Sequence, residues 1–328
     1  MIRHGHLFEK TFTPEALYRA FQVAAKGKRN RRACFAFERH LAANLDRLGA
    51  ALHAGTYQPQ PYIRFWVYEP KPRLIYAPAF SDLVVQHALY AVVGPLLEAT
   101  LCDQSFACRV GKGTHKAADY AQAALRASAP DSYTLKLDIR RFFYRIDRAV
   151  LRRLLERKIK DRRFVDLLMV FAAYGDPVGI PIGNLLSQLY ALLYLDPLDW
   201  FIKRELKIQR YCRYVDDFIL FDLTKPEAEA ALARIKMFLA ERLRLELSRY
   251  TLARTSRGVN FVGYRTWASK RFIRKHSLFK FSRALRRGDG QAAVSILGHA
   301  QRTHSRRHLL RTAQRLNPDL IPARFTRS

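Results

Sequence analysis

Tyr211-Cys-Arg-Tyr-Val-Asp-Asp-Phe-Ile-Leu-Phe-Asp222 (YCRYVDDFILFD) sets two adjacent acids, Asp216 and Asp217, inside a run of β-branched and aromatic residues. Such residues favour strands, and a run of this kind interrupted by an acid pair reads as a β-hairpin with carboxylates at its tip. An isolated Asp-Asp is ordinarily a surface turn. Here a third acid stands in a similar setting: Asp138 in TLKLDI (134–139), about 80 residues earlier, with Phe142 and Phe143 following it. Strands bury acids reluctantly. Carboxylates gathered there repel one another and rise in pKa unless cations neutralise them, and hard oxygen donors suit Mg²⁺. Two Mg²⁺ about 4 Å apart serve in-line displacement at a phosphoryl centre, one activating the attacking oxygen and the other stabilising the leaving group.

Around this centre the chain alternates helical and strand patterns. Pro14 after Thr13 is a helix start, and Phe37, Leu41, Leu45 and Leu48 recur at helical spacing, so 14–55 is predicted helical. IRFWVYE and PRLIYA, separated by Pro70-Lys71-Pro72, predict a strand pair. A buried helix is expected over 82–101 with a break near Pro95, then helices over 114–127, 147–173, 184–206 and 226–243, and short strands over 244–248 and 259–266. The pattern is that of an α+β fold, without internal repeat or long Pro/Gly/Ser linker.

The formal net charge is +30, from 58 Lys and Arg against 28 Asp and Glu. A compact chain so charged repels itself unless a polyanion neutralises it, and nucleic acid is the obvious one. From Gly263 onward there are 16 Lys and Arg against only Asp289 and Asp319. Arg271, Arg274, Lys275, Arg283, Arg286, Arg287, Arg306, Arg307 and Arg311 alternate there with apolar residues at helical intervals, which predicts a helical subdomain with a basic, phosphate-binding face. The apolar runs are broken by charge short of a bilayer span, and the start has no apolar signal core. Cys34, Cys102, Cys108 and Cys212 form no C-x-x-C pair, so reduced thiols in a cytoplasm are expected. GKGT (111–114) lacks phosphate-loop spacing, and His87 and His115 are expected to be hydrogen-bonded structural groups.

The order of a lone Asp followed by aromatics, GIPIGNLLSQ (179–188), and then Y-x-D-D resembles the reverse transcriptase family. The resemblance runs from about Leu7 to His308. EPKPRLIYAPAFSDLVVQHAL (69–89) is similar to the family's fingers segment and SFACRVGKGTHKA (105–117) to its next block. GVNFVGY (258–264) is similar to the element leading to the thumb, and SILGHA (295–300) to a thumb signature. The resemblance implies a right-hand polymerase fold. Residues 1–130 would hold the fingers with N-terminal helices, 131–262 the palm, an antiparallel sheet plus helices, and 263–328 a short, basic helical thumb.

It also implies an RNA-directed DNA polymerase whose two Mg²⁺ are held by Asp138 and Asp216, with Asp217 as the third carboxylate and the Ile139 backbone carbonyl beside them. By the same resemblance Lys71 and Arg73 clamp the dNTP triphosphate, Phe143 lies beneath the sugar and rejects a 2′-hydroxyl, and Ile182 and Gly183 line the nucleotide. Strand alternation would let only one of Phe142 and Phe143 face the site. Where many relatives carry Lys after L-x-L-S, this chain reads LSRYTL (247–252), leaving Arg249 or Arg254 as the cation.

Compact size and GIPIGNLLSQ most resemble the enzymes of diversity-generating retroelements, bacterial or phage-encoded. That likeness implies a template-repeat RNA copied into cDNA with errors at adenine, a structured non-coding RNA, and a small, basic, oligomeric accessory variability protein. Retron, group II intron and phage-defence enzymes are the alternatives, with a non-catalytic RNA-binding protein behind them; retron and intron enzymes usually differ at Ile182-Gly183 and Ser187-Gln188.

Overall fold

The structure, a computed structural model, describes residues 3–68, 72–322 and 325. The chain is α+β, as its pattern predicts. Four helices open it: α1 (Leu7–Thr11), α2 (Pro14–Ala25), α3 (Arg32–Glu38) and α4 (Leu41–Ala54). Thr13 starts α2, its side chain accepting the Ala16 amide at 3.2 Å, and Pro14 follows where a missing N–H costs nothing. The helical spacing from Phe37 to Leu48 is interrupted at Arg39-His40, which divides α3 from α4.

Strands β1 (Ile63–Val67) and β2 (Arg73–Ala77) pair antiparallel, with Trp66 opposite Leu74. Helix α5 (Phe80–Glu98) runs through Pro95, so the predicted break is absent, and the helix ends three residues later. After α6 (Thr114–Ala127) come β3 (Tyr133–Ile139), α7 (Phe142–Arg145), α8 (Arg148–Glu156) and α9 (Arg162–Ala172). The helix expected over 147–173 is thus divided, because Asp147 and Asp161 each cap a new N-terminus, accepting the Val150 and Phe164 amides at 2.9 and 3.1 Å. The second Asp161 oxygen accepts the Leu7 and Phe8 amides, both at 2.8 Å, so one carboxylate caps two helices.

Helix α10 (Leu185–Trp200), β4 (Tyr211–Tyr214), β5 (Asp217–Leu223) and α11 (Lys225–Leu243) lead to β6 (Leu247–Arg254), which starts later and runs longer than predicted. The strand expected over 259–266 is a hairpin of β7 (Val259–Phe261) and β8 (Tyr264–Thr266) turning at Val262-Gly263. Then follow β9 (Arg271–Ile273), α12 (Lys275–Arg286), α13 (Gly290–Ala300) and α14 (Ser305–Leu316).

These elements form two compact units, each discontinuous in sequence. The first comprises residues 1–108, 139–201 and 235–248. At its centre α5 packs on α2 and α10, and Val84, Val85, Leu89, Val93 and Leu97 are buried. Among the described residues α5 alone is long and apolar enough to cross a bilayer by length and composition; it carries Asp82 and Glu98, and half of it is buried in this unit.

The second unit comprises residues 109–138, 202–234 and 249–328. Most of a four-stranded sheet, in the order β4-β5-β3-β6, and a three-stranded sheet, β7-β8-β9, belong to it. The basic C-terminal segment has its own core, where Phe281 and Leu285 of α12, Leu297 of α13 and Leu309 of α14 cluster with Tyr264 and Ile273. Two sequence motifs meet in this core. The Tyr264 hydroxyl donates to the His299 carbonyl at 2.8 Å, and the two rings stack 4.1 Å apart. Gly263, at φ +90°, is where the His299 ring approaches the backbone; a Cβ there would lie 2.7 Å from Nε2. His115 Nδ1 lies 3.1 Å from the same hydroxyl, a structural place of the kind expected for it. All four cysteines are free.

Candidate active site

Asp138 and Asp217 are directly opposite each other on β3 and β5, and Tyr214 pairs with Asp217 across the β4–β5 hairpin. Val215 and Asp216 therefore form a two-residue tip, as the acid pair predicts. Val215 sits at φ +58°, a left-handed conformation that a β-branched residue adopts only at a cost, and the surrounding structure must hold it there. Arg213 provides one such restraint: wholly buried, it donates from Nη1 to the Val215 carbonyl at 3.0 Å. All three acids are half-buried.

Basic side chains lie against this cluster. Lys136 Nζ is 2.8 Å from Asp217 Oδ2, and Arg249 Nε is 3.7 Å from Asp138 Oδ2. Arg249, one of the two cations that LSRYTL offers for a triphosphate contact, is thus placed beside Asp138. Sequence reasoning missed Lys136, although strand alternation sets it two residues before Asp138 on the same face. It also missed Arg213, whose one signal is a cation within an apolar strand. Burial pushes the Asp217 carboxyl above the usual range and Asp138 adds to this, while the charges of Lys136 and Arg274 oppose it.

Among the described residues, no three His, Cys, Asp or Glu side chains are grouped to hold a metal as they stand. The donor chemistry nevertheless fits Mg²⁺. Asp217 Oδ1 is buried without a hydrogen-bond partner, so an oxygen donor is desolvated and left for a cation. Asp138, opposite it on β3, and Asp216, at the adjoining hairpin tip, supply further hard oxygens.

In the first unit the GIPIG segment forms a hydrogen-bonded band. Ile180 N donates to the Phe143 carbonyl at 2.9 Å, and the Ile182 carbonyl accepts the Tyr76 amide of β2 at 2.7 Å. Phe143, Ile182, Gly183 and the strand bearing Arg73 are thereby tied together. Gly183, at φ +102°, lets β2 approach closely; a Cβ there would lie 2.5 Å from Ile75 Cγ2. Phe142 is buried and Phe143 half-buried, but α7 is helical, so the alternation expected of a strand is not what separates them. Arg73 is exposed, and Ile139 is buried at the end of β3. Lys71 lies outside the described residues.

On the C-terminal segment Arg274, Lys275, Arg283, Arg286, Arg287 and Arg307 are exposed. Arg306 is half-buried and donates to the Phe325 carbonyl at 3.1 Å. Arg271 corrects the expectation of a phosphate contact. Only 3% exposed, it donates to Asp119 at 2.7 Å, to the Ala118 carbonyl at 2.8 Å and to Gln122 at 2.9 Å, so its charge is used internally.

A family described as reverse transcriptase (RNA-dependent DNA polymerase) matches residues 69–266. Protein YkfC of Escherichia coli (strain K12) is 26% identical, over 73% of this chain and 74% of that protein. The group II intron-encoded protein LtrA of Lactococcus lactis subsp. cremoris is 24% identical, over 67% of this chain and 49% of that protein, so the chain spans about half its length. Among solved structures, telomerase from Candida albicans in complex with a fragment of telomeric RNA is 14% identical with a TM-score of 0.51, over 80% of this chain and 55% of that one. Apo telomerase from Candida tropicalis is 11% identical with a TM-score of 0.54, over 80% and 59%. The fold shared with these is the right-hand polymerase fold.

Proposed function

We propose, from the premise that the chain belongs to the reverse transcriptase family, that this RNA-directed DNA polymerase copies a template-repeat RNA into cDNA with errors at template adenines, for mutagenic retrohoming. The observation that carries the error-prone reading is Ile182. Its carbonyl is engaged by Tyr76 of the strand that bears Arg73, and its side chain is hydrocarbon. Such a side chain offers a nascent pair shape but no hydrogen bond. One well-placed hydrogen bond changes discrimination by about 0.5–1.5 kcal/mol, roughly threefold to tenfold. Ile182 therefore supplies a part of the infidelity, with Arg73 and partners supplying the rest; the preference for adenine rests on the resemblance.

In this reading Asp138, Asp216 and Asp217, with the Ile139 carbonyl, hold two Mg²⁺, which supply charge neutralisation and an activated attacking oxygen when bound. Lys71 and Arg73 bind the triphosphate, and Phe143 selects the deoxy sugar. Arg274, Lys275, Arg283, Arg286, Arg287 and Arg307 contact phosphates of the RNA–cDNA duplex. The partners are a structured non-coding RNA and a small, basic, oligomeric accessory protein, in a bacterial cytoplasm. A second reading, an intron-type enzyme, is favoured by the likeness to LtrA. The misincorporation spectrum on an RNA containing all four bases, for wild type and Ile182→Gln, separates the two. An excess of errors at adenine is expected, reduced threefold to tenfold by the substitution; a flat wild-type spectrum would favour the intron-type reading.

A further inference from the structure

The segment that leads into GIPIG is held by side chains. Residues 174–178 join the end of α9 to Gly179, and among the described residues no backbone–backbone hydrogen bond reaches them. Such a loop samples many conformations unless something else fixes it. Arg148, the first residue of α8, supplies the hold. Its Nη2 donates to the Asp176 and Pro177 carbonyls at 2.6 and 2.8 Å, and its Nη1 to the Gly179 carbonyl at 3.1 Å. Three carbonyls are thus gathered on one half-buried guanidinium, whose rigid fork of donors suits such a set. The positive end of the helix dipole disfavours a cation at this place, so the three bonds outweigh a local cost. Tyr174 braces the loop from within, edge-on to Tyr76 at 4.8 Å, with its hydroxyl 3.4 Å from the Val178 carbonyl.

What Arg148 holds lies directly against Phe143. Gly179 N donates to the Ile146 carbonyl at 2.8 Å, and Ile180 N to the Phe143 carbonyl at 2.9 Å. The approach is so close that Gly179, at φ +86°, has no room for a Cβ, which would lie 2.9 Å from the Tyr144 carbonyl oxygen and 3.0 Å from that of Phe143. Phe143 itself stands on α7, four residues long and too short to fix its own position. Its backbone is therefore placed by the 179–180 segment, and that segment by Arg148.

We propose that Arg148 is a positioning residue for sugar selection: by fixing residues 176–179 it sets where the Phe143 ring meets a 2′-hydroxyl. The proposal rests on the reading of Phe143 as the residue beneath the incoming sugar. Exclusion by contact is steep in distance. A ring displaced by roughly 1 Å no longer collides with a 2′-hydroxyl, whereas a 2′-hydrogen, which never collided, gains nothing.

The test measures single-nucleotide incorporation on a primed RNA by the full chain, with a dNTP and with the matching rNTP, and takes the ratio of the two kcat/KM values. Phe143→Ala should lower that ratio about a hundredfold. Arg148→Gln should lower it about tenfold, chiefly through better use of the rNTP, and Arg148→Lys, which keeps the charge but not the fork, about threefold. Arg152→Gln is the control. One turn further along α8, Arg152 pairs with Glu156 at 2.8 Å and with Asp166, so its loss loosens the helix without touching the carbonyls of the loop, and the ratio should stay within about twofold of wild type. An Arg148→Gln ratio equal to wild type, with Phe143→Ala at its expected value, would overturn the proposal and leave Arg148 the strut of a surface loop. Equal falls for Arg148→Gln and Arg152→Gln would overturn it as well, since loosening of α8 would then explain both. If Arg148→Gln does not fold, Arg148→Lys carries the same comparison. A Phe143→Ala ratio equal to wild type would instead remove the sugar reading of Phe143, and the proposal with it.

Discussion

Lys136 stands between two acceptors, 2.8 Å from Asp217 Oδ2 and 2.7 Å from the Asn260 carbonyl. The ammonium offsets the burial that pushes the Asp217 carboxyl upward. Lys136→Met should leave that carboxylate uncompensated and cost about 2 kcal/mol in metal-free buffer. Added Mg²⁺ should then raise the melting temperature of the variant more than that of wild type, because the ion replaces the missing charge. Thermal unfolding with and without Mg²⁺ measures both; equal shifts would show that Lys136 and the metal do not share Asp217.

Asp216 sits at the hairpin tip, where its side chain is half-buried and its position follows from Val215 and Arg213. Asp216→Asn removes a charge and little volume. Primer extension on RNA should fall by about a thousandfold, the scale of transition-state charge stabilisation that a metal ligand supports. Stability should change by less than about 0.5 kcal/mol. Substantial residual synthesis would remove Asp216 from the metal site.

Exposed and internal arginines of the C-terminal segment should behave oppositely. Arg283, Arg286 and Arg287 are exposed at the end of α12, so neutralising all three with Gln should lower the slope of log affinity against log salt by about 0.9 for each phosphate no longer neutralised. Arg271→Gln should leave the slope alone and cost about 1–3 kcal/mol of stability, since it removes the hydrogen bonds of a buried guanidinium to the Ala118 carbonyl and Gln122, while the more exposed Asp119 keeps Arg302 at 3.3 Å. A salt titration and a denaturation curve on each variant decide it.

How much of this was legible depends on how local the cause is. The Asp216-Asp217 hairpin, the Thr13 start of α2 and α6 over 114–127 follow from neighbouring residues, and the structure has them where the pattern predicts. The division of 147–173 was legible in principle: Asp147 and Asp161 are good caps, but apolar periodicity hid them. Arg271 was misread because helical intervals and charge count say nothing of Asp119, 152 positions away, which draws it inward. Lys136 was passed over since a lone strand lysine has no signature; only the partner β5 makes it part of the cluster. The approach of His299 to Gly263 unites two quoted motifs, and neither motif alone shows the other as its reason.

The cap of α8 gives a pH-dependent prediction. Asp147 accepts the Val150 amide at 2.9 Å and Arg244 Nη1 at 2.5 Å. Burial pushes its carboxyl upward, but the Val150 amide, Arg244 and the Ala149 amide together hold it below the ordinary carboxylate value. For an acid lowered by folding, the stabilisation is present above its unfolded pKa of about 4 and is lost as pH falls through the folded value. Asn also caps helices well, so Asp147→Asn isolates the charge from the cap. Because Arg244 is largely exposed, solvent screening reduces the ion pair, and the substitution should cost about 0.5 kcal/mol at pH 7. That cost should shrink toward zero below about pH 4, where wild type gains the proton that Asn never needed. Asp147→Ala, which removes the acceptor as well, should cost about 1 kcal/mol more than Asn at either pH. Urea denaturation of the three proteins at pH 7 and near pH 3.5 separates the two contributions. An Asn cost that does not change with pH would mean that the capping geometry, and not the carboxylate charge, holds the start of α8.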